Sequence, residues 1–419
     1  SLQISKLITK KNDLKSKEVN LCKFYDPSNG KIIDEGLLLW SPGPNSYTGE
    51  DLAEFHTHGS NAVVSCFLRV LGNQENCRLA EPGEFTKLAF QNNKMDLIEA
   101  ESIGDLIHAE TELQRQQAIK LIQGNASNHY NSLREKLVKS LSYIEAKIDF
   151  AEDDLPENVL KEVQASIKHV HKDIKQILED QKIGEKIRDG FRISIIGDVN
   201  AGKSSLLNLF SKREAAIVSE QEGTTRDVIE TYLNIDGYPV ILADTAGIRK
   251  VKNKIEKEGI KRAINKAKDA DLTLVMIDVS KKTINKDLKK LINEDCILVF
   301  NKSDLSKKTP KNEFKKNDQI LISVKNNKNI DSLIKAIKKK LSKKFMKANN
   351  ILVTRERHRA KLNAALKEIE NFLKKDQKKE IETAAEDLRL ATRHLGGIVG
   401  KVDVEEILGS IFQDFCIGK

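Results

Sequence analysis

One stretch, Gly197–Asn208 (GDVNAGKSSLLN), restricts the fold more than any other. It sets Gly197, Gly202, Lys203 and Ser204 in the phosphate-loop pattern G-x4-G-K-[ST]. The apolar run Phe191–Ile196 precedes it and reads as a buried strand, and Ser205–Phe210 reads as the start of a helix. Strand, glycine-rich turn and helix form the context this pattern requires. The glycines let backbone N–H groups face an anion without Cβ interference. The helix N-terminus adds partial positive charge. Asn200, Ala201, Gly202, Lys203, Ser204 and Ser205 are therefore the phosphate-binding candidates. Lys203 can reach the β- and γ-phosphates, and the Ser204 hydroxyl can bind magnesium. A chance loop matches the pattern alone but does not explain its flanks.

Later strand ends identify the base. Val240–Ala243 reads as a strand running into Asp244, Thr245, Ala246 and Gly247. Asp244 suits the magnesium shell, and the Gly247 N–H suits the γ-phosphate. Cys296–Phe300 is another strand and ends in Asn301, Lys302, Ser303 and Asp304. A carboxylate there can accept two bonds from the N1–H and 2-amino group of guanine. Adenine lacks that donor pair, so Asp304 rejects ATP by being left unpaired. Ile320–Ser323 gives a further strand, ending in Ser323, Val324 and Lys325, where a backbone N–H can meet the guanine carbonyl. Acidic turns after core strands account for each motif singly, but not for four of them in this order.

The chain has 419 residues, enough for two to four domains. No apolar run approaches the ~20 residues that span a bilayer, so no membrane partner is expected. The net charge of +9 comes largely from lysines in 281–347. These are either solvated faces or a diffuse surface for a polyanion such as RNA. The five cysteines lack metal spacing and fit free thiols in a reducing compartment. Because the chain starts at Ser1, within a helical segment, residues upstream are expected.

Residues 1–92 read as an α+β domain. In Leu52–His58, Glu54, His56 and His58 share a face if extended. Two histidines at this spacing serve more often as hydrogen-bonded or ligand-lining groups than as metal ligands. Residues 93–188 read as helical, with a seam at Leu160, Val163, Ile167, Val170, Ile174 and Ile177. The α/β block spans 189–346. Helical periodicity returns over 347–419, at Leu362, Leu366, Ile369 and Leu373, then at Ile381, Ala385, Leu388 and Leu395. The expected fold class is therefore multidomain: a P-loop domain inserted in a helical domain, preceded by the α+β domain. The apolar terminus ending in Cys416-Ile417-Gly418-Lys419 should be docked, with Cys416 either a buried or a reactive thiol.

The hydrolytic engine departs from the Ras type. Ile248 stands where a water-orienting glutamine follows the DTAG glycine, and no arginine finger is assignable. Asn200 can coordinate a monovalent cation beside the phosphates. The loop Ile217–Asp227 can complete that shell through its carbonyls, with Thr225 on magnesium. Glu256 or Glu258 can orient water.

These residues resemble the MnmE (TrmE) family of tRNA modification GTPases over essentially the whole chain. The likeness rests on PGPNSYTGEDLAEFHTHG (42–59), RLAEPGEFTKLAFQNNKMDLIEAESIGDLI (78–107), the P-loop, EAAIVSEQEGTTRDV (214–228), DTAGI, NKSD and the terminal FCIGK (415–419). The resemblance implies an N-terminal domain that binds 5-formyl- or methylene-tetrahydrofolate through Glu54, Lys94 and Lys419 and builds a homodimer. It implies potassium on Asn200, Ser219, Gln221 and Thr224, and magnesium on Ser204 and Thr225. The nucleotide loop also takes in Glu220 and Gly223. Glu256 matches the catalytic glutamate, with Lys203 and Gly247 beside it. A flavin-dependent partner of the GidA (MnmG) family completes a heterotetramer. The complex is expected to add an aminomethyl-type or carboxymethylaminomethyl group to C5 of the tRNA wobble uridine, in the bacterial cytoplasm or a mitochondrion. The chain departs from the pattern at Asp198-Val199, where arginine-proline is common, and at SVKNNKNI, where SAKTGEGI is usual.

Two other functions compete. A ribosome-assembly GTPase with an RNA-binding appendage shares Asn-containing P-loops but should lack EFHTHG and CIGK. A folate scaffold with a vestigial GTPase sits poorly with intact Lys203, Asp244, Asp304 and Glu256.

Overall fold

Alternation and burial dictate two sheets, which fall in separate units of the chain. The computed structural model describes residues 1–149, 158–180, 182–213, 216–217, 230–243, 270–281, 283–306, 308–309, 314–345, 351–376 and 379–402. In chain order the elements are α1 (Leu2–Thr9), β1 (Val19–Tyr25), β2 (Ile32–Ser41), β3 (Leu52–His56), α2 (Asn61–Gly72), α3 (Glu84–Gln91), α4 (Leu97–Ile107), α5 (Glu112–Ile122), α6 (Asn125–Asp149), α7 (Asn158–Leu178) and α8 (Ile183–Asp189). They continue with β4 (Phe191–Gly197), α9 (Lys203–Arg213), β5 (Ala216–Ile217), β6 (Glu230–Ile235), β7 (Tyr238–Ala243), β8 (Leu272–Asp278), α10 (Lys286–Lys289), β9 (Cys296–Asn301), β10 (Asp318–Leu321), α11 (Ile330–Phe345), α12 (Glu356–Lys374) and α13 (Ile381–Val399). One unit comprises 1–104, 122–131 and 395–419; the other comprises 105–121 and 132–394.

In the first unit β1, β2 and β3 form an antiparallel sheet in that order. Alternation sends Cys22, Phe24 and Leu38 inward against Ile8 of α1 and Phe67 and Val70 of α2. Phe24, Phe55 and Phe67 interlock, with ring centroids 5.6, 5.3 and 5.2 Å apart. The opposite sheet face carries Val19, Leu21 and Leu37, all exposed.

The second unit holds a seven-stranded sheet of order β10-β9-β8-β4-β7-β6-β5. Strands β4, β7, β8, β9 and β10 run parallel, while β5, β6 and β7 pair antiparallel. The parallel strands are nearly continuous apolar runs because both faces are covered. Ile193, Ile195, Leu274, Met276, Ile297 and Val299 meet residues of α8, α9 and α11 on one face. Ile196, Val275, Ile277, Leu298 and Phe300 form the core of the other. From β4 the order departs in two directions, to β8 and to β7. That switch point puts the carboxyl end of β4 where open α/β sheets bind ligands.

The two helical stretches flanking this sheet pack on each other. Val163, Ile167, Val170 and Ile174 of α7 are fully buried, matching the expected seam. On α12 the buried seam is Leu362, Ala365, Ile369 and Phe372, with Leu366 and Leu373 only half-buried. The buried stripe therefore runs through Ala365 and Phe372 in place of Leu366 and Leu373. Arg359 of α12 donates to both carboxylate oxygens of Glu185, at 2.8 and 2.7 Å, and to Asp180 at 2.8 Å. These bonds clamp the residues leading into β4 to the helix that follows the sheet. The P-loop domain is thus inserted in a helical domain, as the periodicity predicts.

Candidate functional site

Four strand ends converge at one sheet edge. Parallel registry sets Gly197 beside Met276 and Asp278 beside Asn301. Gly197 must be glycine because a Cβ there would lie 2.4 Å from the Met276 carbonyl oxygen. Asn200 takes a left-handed φ of 63°, which asparagine tolerates better than most residues. Gly202 is also left-handed, at φ 99°, and its Cβ would lie 2.3 Å from Asn301 Nδ2. Lys203 opens α9 and donates to the carbonyls of Gly197 and Asp198, at 2.8 Å each. Its ammonium lies over the loop, where β- and γ-phosphate oxygens can compete for it. Ser204 and Ser205 are exposed on the first turn. An exposed hydroxyl at a helix N-terminus fits a magnesium-bound nucleotide.

Asn301 joins the two halves of the site. Its buried amide donates from Nδ2 to the Ala201 carbonyl at 2.9 Å and accepts at Oδ1 from the Val324 N–H at 3.1 Å. A single side chain therefore links the phosphate loop to the segment Ser323–Lys325. Ser323 Oγ donates to Asp304 Oδ1 at 2.5 Å. That bond comes first in holding the exposed Asp304 carboxyl below its ordinary pKa. An ionised, oriented carboxylate is what two guanine donors require. Lys302 donates to Asp278 Oδ2 at 2.6 Å. Burial works to raise the Asp278 carboxyl, but the bonds from Lys302 and Ser280 outweigh it and lower its pKa. Asp278 escaped the motif reading; its signal is an acid closing an apolar strand at the same edge.

The expected strand at Ile320–Ser323 lies slightly earlier, at Asp318–Leu321, with Ser323 in an isolated bridge to Lys328. The Ile322 N–H still bonds the Phe300 carbonyl of β9 at 2.8 Å, and beyond it the Val324 N–H turns to Asn301. Ser219, Glu220, Gln221, Gly223, Thr224, Thr225, Asp244, Thr245, Ala246, Gly247, Glu256, Glu258, Cys416 and Lys419 lie outside the described residues.

In the other unit Glu54 and His56 share the open sheet face, 3.7 Å apart. His58 leaves it: β3 ends at His56, and His58 donates from Nδ1 to Asp34 at 2.9 Å. Among the described residues no group of three or more histidines, cysteines or acids can hold a metal. Lys94 donates to the Pro44 carbonyl at 2.9 Å, Asn92 to the Thr48 carbonyl at 2.8 Å, and Tyr47 bonds to Thr86 at 2.9 Å. Segment 41–51 is thereby laced to α3 and the turn after it. Lys94 offers an ammonium and Glu54 an exposed carboxylate. Cys22, Cys66, Cys77 and Cys296 are free thiols. Burial pushes the Cys22 and Cys296 thiols upward, away from reactivity.

A family model described as the MnmE helical domain matches residues 97–416, and one described as the GTP-binding protein TrmE N-terminus matches 1–94. The chain is 57% identical over 417 residues to the tRNA modification GTPase MnmE of Pelagibacter ubique (strain HTCC1062), covering 100% of this chain and 94% of that protein. It belongs to the MnmE family. The MnmE of Rickettsia bellii (strain RML369-C) is 44% identical over 426 residues, at the same coverages. The MnmE helical match runs through the α/β block, consistent with its insertion between α8 and α12. The chain is also similar to the G domain of the T. maritima FeoB iron transporter, at 21% identity and a TM-score of 0.27, covering 37% of this chain and 98% of that one. The family assignment rests on the sequence matches alone. As an MnmE-family protein the chain is a GTPase. Among the described residues no helix is long and apolar enough to cross a membrane.

Proposed function

We propose that this chain is a potassium-stimulated GTPase which, with a flavin-dependent partner of the GidA (MnmG) type, modifies C5 of the tRNA wobble uridine in the bacterial cytoplasm. The observation that carries the GTPase half is Asn301, whose amide joins the phosphate loop to the guanine segment. The tRNA half rests on family membership over the whole chain. The match over 1–94 gives the ribosome-assembly alternative no support.

In this reading the α+β domain spans 1–92, the helical domain 93–188 and 347–419, and the GTPase domain 189–346. Lys203 and the α9 N-terminus hold phosphate, Asp304 and Val324 select guanine, and Ser204 with Thr225 holds magnesium. Asn200, with Ser219, Gln221 and Thr224, holds potassium, which supplies positive charge beside the phosphates when bound. Asn200, left-handed and exposed in the phosphate loop, supports that role. Glu54, Lys94 and Lys419 bind the tetrahydrofolate one-carbon donor, and Cys416 is the candidate modification-site thiol. The exposed apolar face of Val19, Leu21 and Leu37 supports a homodimer through the first unit. The GidA-type partner then completes the heterotetramer.

Glu256 orients the attacking water, since Ile248 cannot. Glu256→Ala should cut single-turnover GTP hydrolysis by about 100-fold while leaving GTP binding in place. Loss of binding together with turnover would reassign Glu256 to a structural role.

A further inference from the structure

The phosphate loop contains a carboxylate that the nucleotide does not want. Asp198 follows the first glycine, and its carbonyl oxygen accepts from the Lys203 ammonium at 2.8 Å. A free negative charge at this place would oppose the phosphates that Lys203 attracts. The carboxylate is not free. Its Oδ2 receives Lys281 Nζ at 3.0 Å, and its Oδ1 accepts from Asn285 Nδ2 at 3.1 Å. Its side chain is only 18% exposed, whereas Lys281 is 47% exposed. The segment holding it starts at Asp278, which also fixes Lys302 of the guanine motif. The stretch after β8 thus grips the site at both ends.

We propose that Lys281 is a positioning residue for nucleotide binding. With Asn285 it turns the Asp198 carboxylate outward, and its charge cancels the repulsion that Asp198 would exert on bound phosphate. The inference rests on the nucleotide-site reading and adds a charge-compensation role to it. A structural brace and a charge compensator differ in one respect. Only the compensator makes the loss grow with the number of phosphate charges, and only its loss is repaired by deleting the opposing charge.

The test is titration of the 419-residue chain with GDP and with a non-hydrolysable GTP analogue. For Lys281→Ala the expected weakening is on the order of 10-fold for the GTP analogue and about 3-fold for GDP, since half-exposure screens the charge. Lys281→Arg should bind as the parent chain does. Adding Asp198→Asn to Lys281→Ala should restore affinity for both nucleotides. Equal losses for GDP and the GTP analogue, no loss at all, or failure of Asp198→Asn to rescue would each overturn the proposal. If the unaltered chain binds neither nucleotide, the nucleotide-site reading itself fails, which is a different result from unaffected variants of a binding-competent parent.

Discussion

Asn301→Ala should loosen the phosphate loop and the guanine segment together. The amide is 3% exposed and satisfies the Ala201 carbonyl and the Val324 N–H. Truncation leaves both without that partner, and an orphaned buried group costs about 1–3 kcal/mol. It also opens the space that Gly202 keeps clear for the amide, so the loop loses its template. The expected outcome is a lower denaturation midpoint and GTP affinity reduced on the order of 30-fold, since about 1.4 kcal/mol corresponds to a tenfold change. Equilibrium denaturation and titration with a fluorescent GTP analogue read the two effects. Lowered stability with unchanged affinity would show that Asn301 braces the domain without shaping the site.

Asp304→Asn should abolish most of the preference for GTP over ATP. The carboxylate is exposed in this structure and oriented by Ser323, so its stability role is small. Its contribution lies in accepting from two guanine donors at once. An amide presents one acceptor and one donor, leaving a guanine group facing a like group. Sites built around a buried polar match discriminate by about 10⁴-fold or more against a partner that lacks it. The GTP-to-ATP affinity ratio, measured by competition, should therefore fall by about 100-fold or more. An unchanged ratio would move the base pocket away from the strand ends of β9 and β10.

Much of this site is legible in the sequence, because the chemistry of phosphate and guanine dictates residue type and spacing. Gly197, Gly202, Lys203 and Ser204 are fixed by backbone approach and charge, and Asn301 and Asp304 close an unmistakably apolar strand. What spacing cannot show is which residue holds which. Asp278 carries no motif, yet it anchors Lys302. Asn301 stands in the guanine motif, and its amide also braces two loops, which spacing does not reveal. The strand Leu272–Asp278 is buried along its whole length. It carries no nucleotide motif, so a motif-led reading passes over it. The face shared by Glu54 and His56 follows from strand alternation. His58 departs because Asp34 offers it a bonded alternative at the point where pairing stops. The α7 seam is legible from heptad spacing, whereas the α12 seam depends on Ala365 and Phe372, whose burial is decided by the partner helix.

The most direct test is GTP hydrolysis by the 419-residue chain in potassium chloride against sodium chloride at equal ionic strength, with ATP as control. Strong stimulation by potassium, and no hydrolysis of ATP in either salt, is the predicted result. Equal GTP rates in both salts would remove the cation role of Asn200. ATP hydrolysis comparable to that of GTP would contradict the guanine site built from Asn301, Asp304 and Val324.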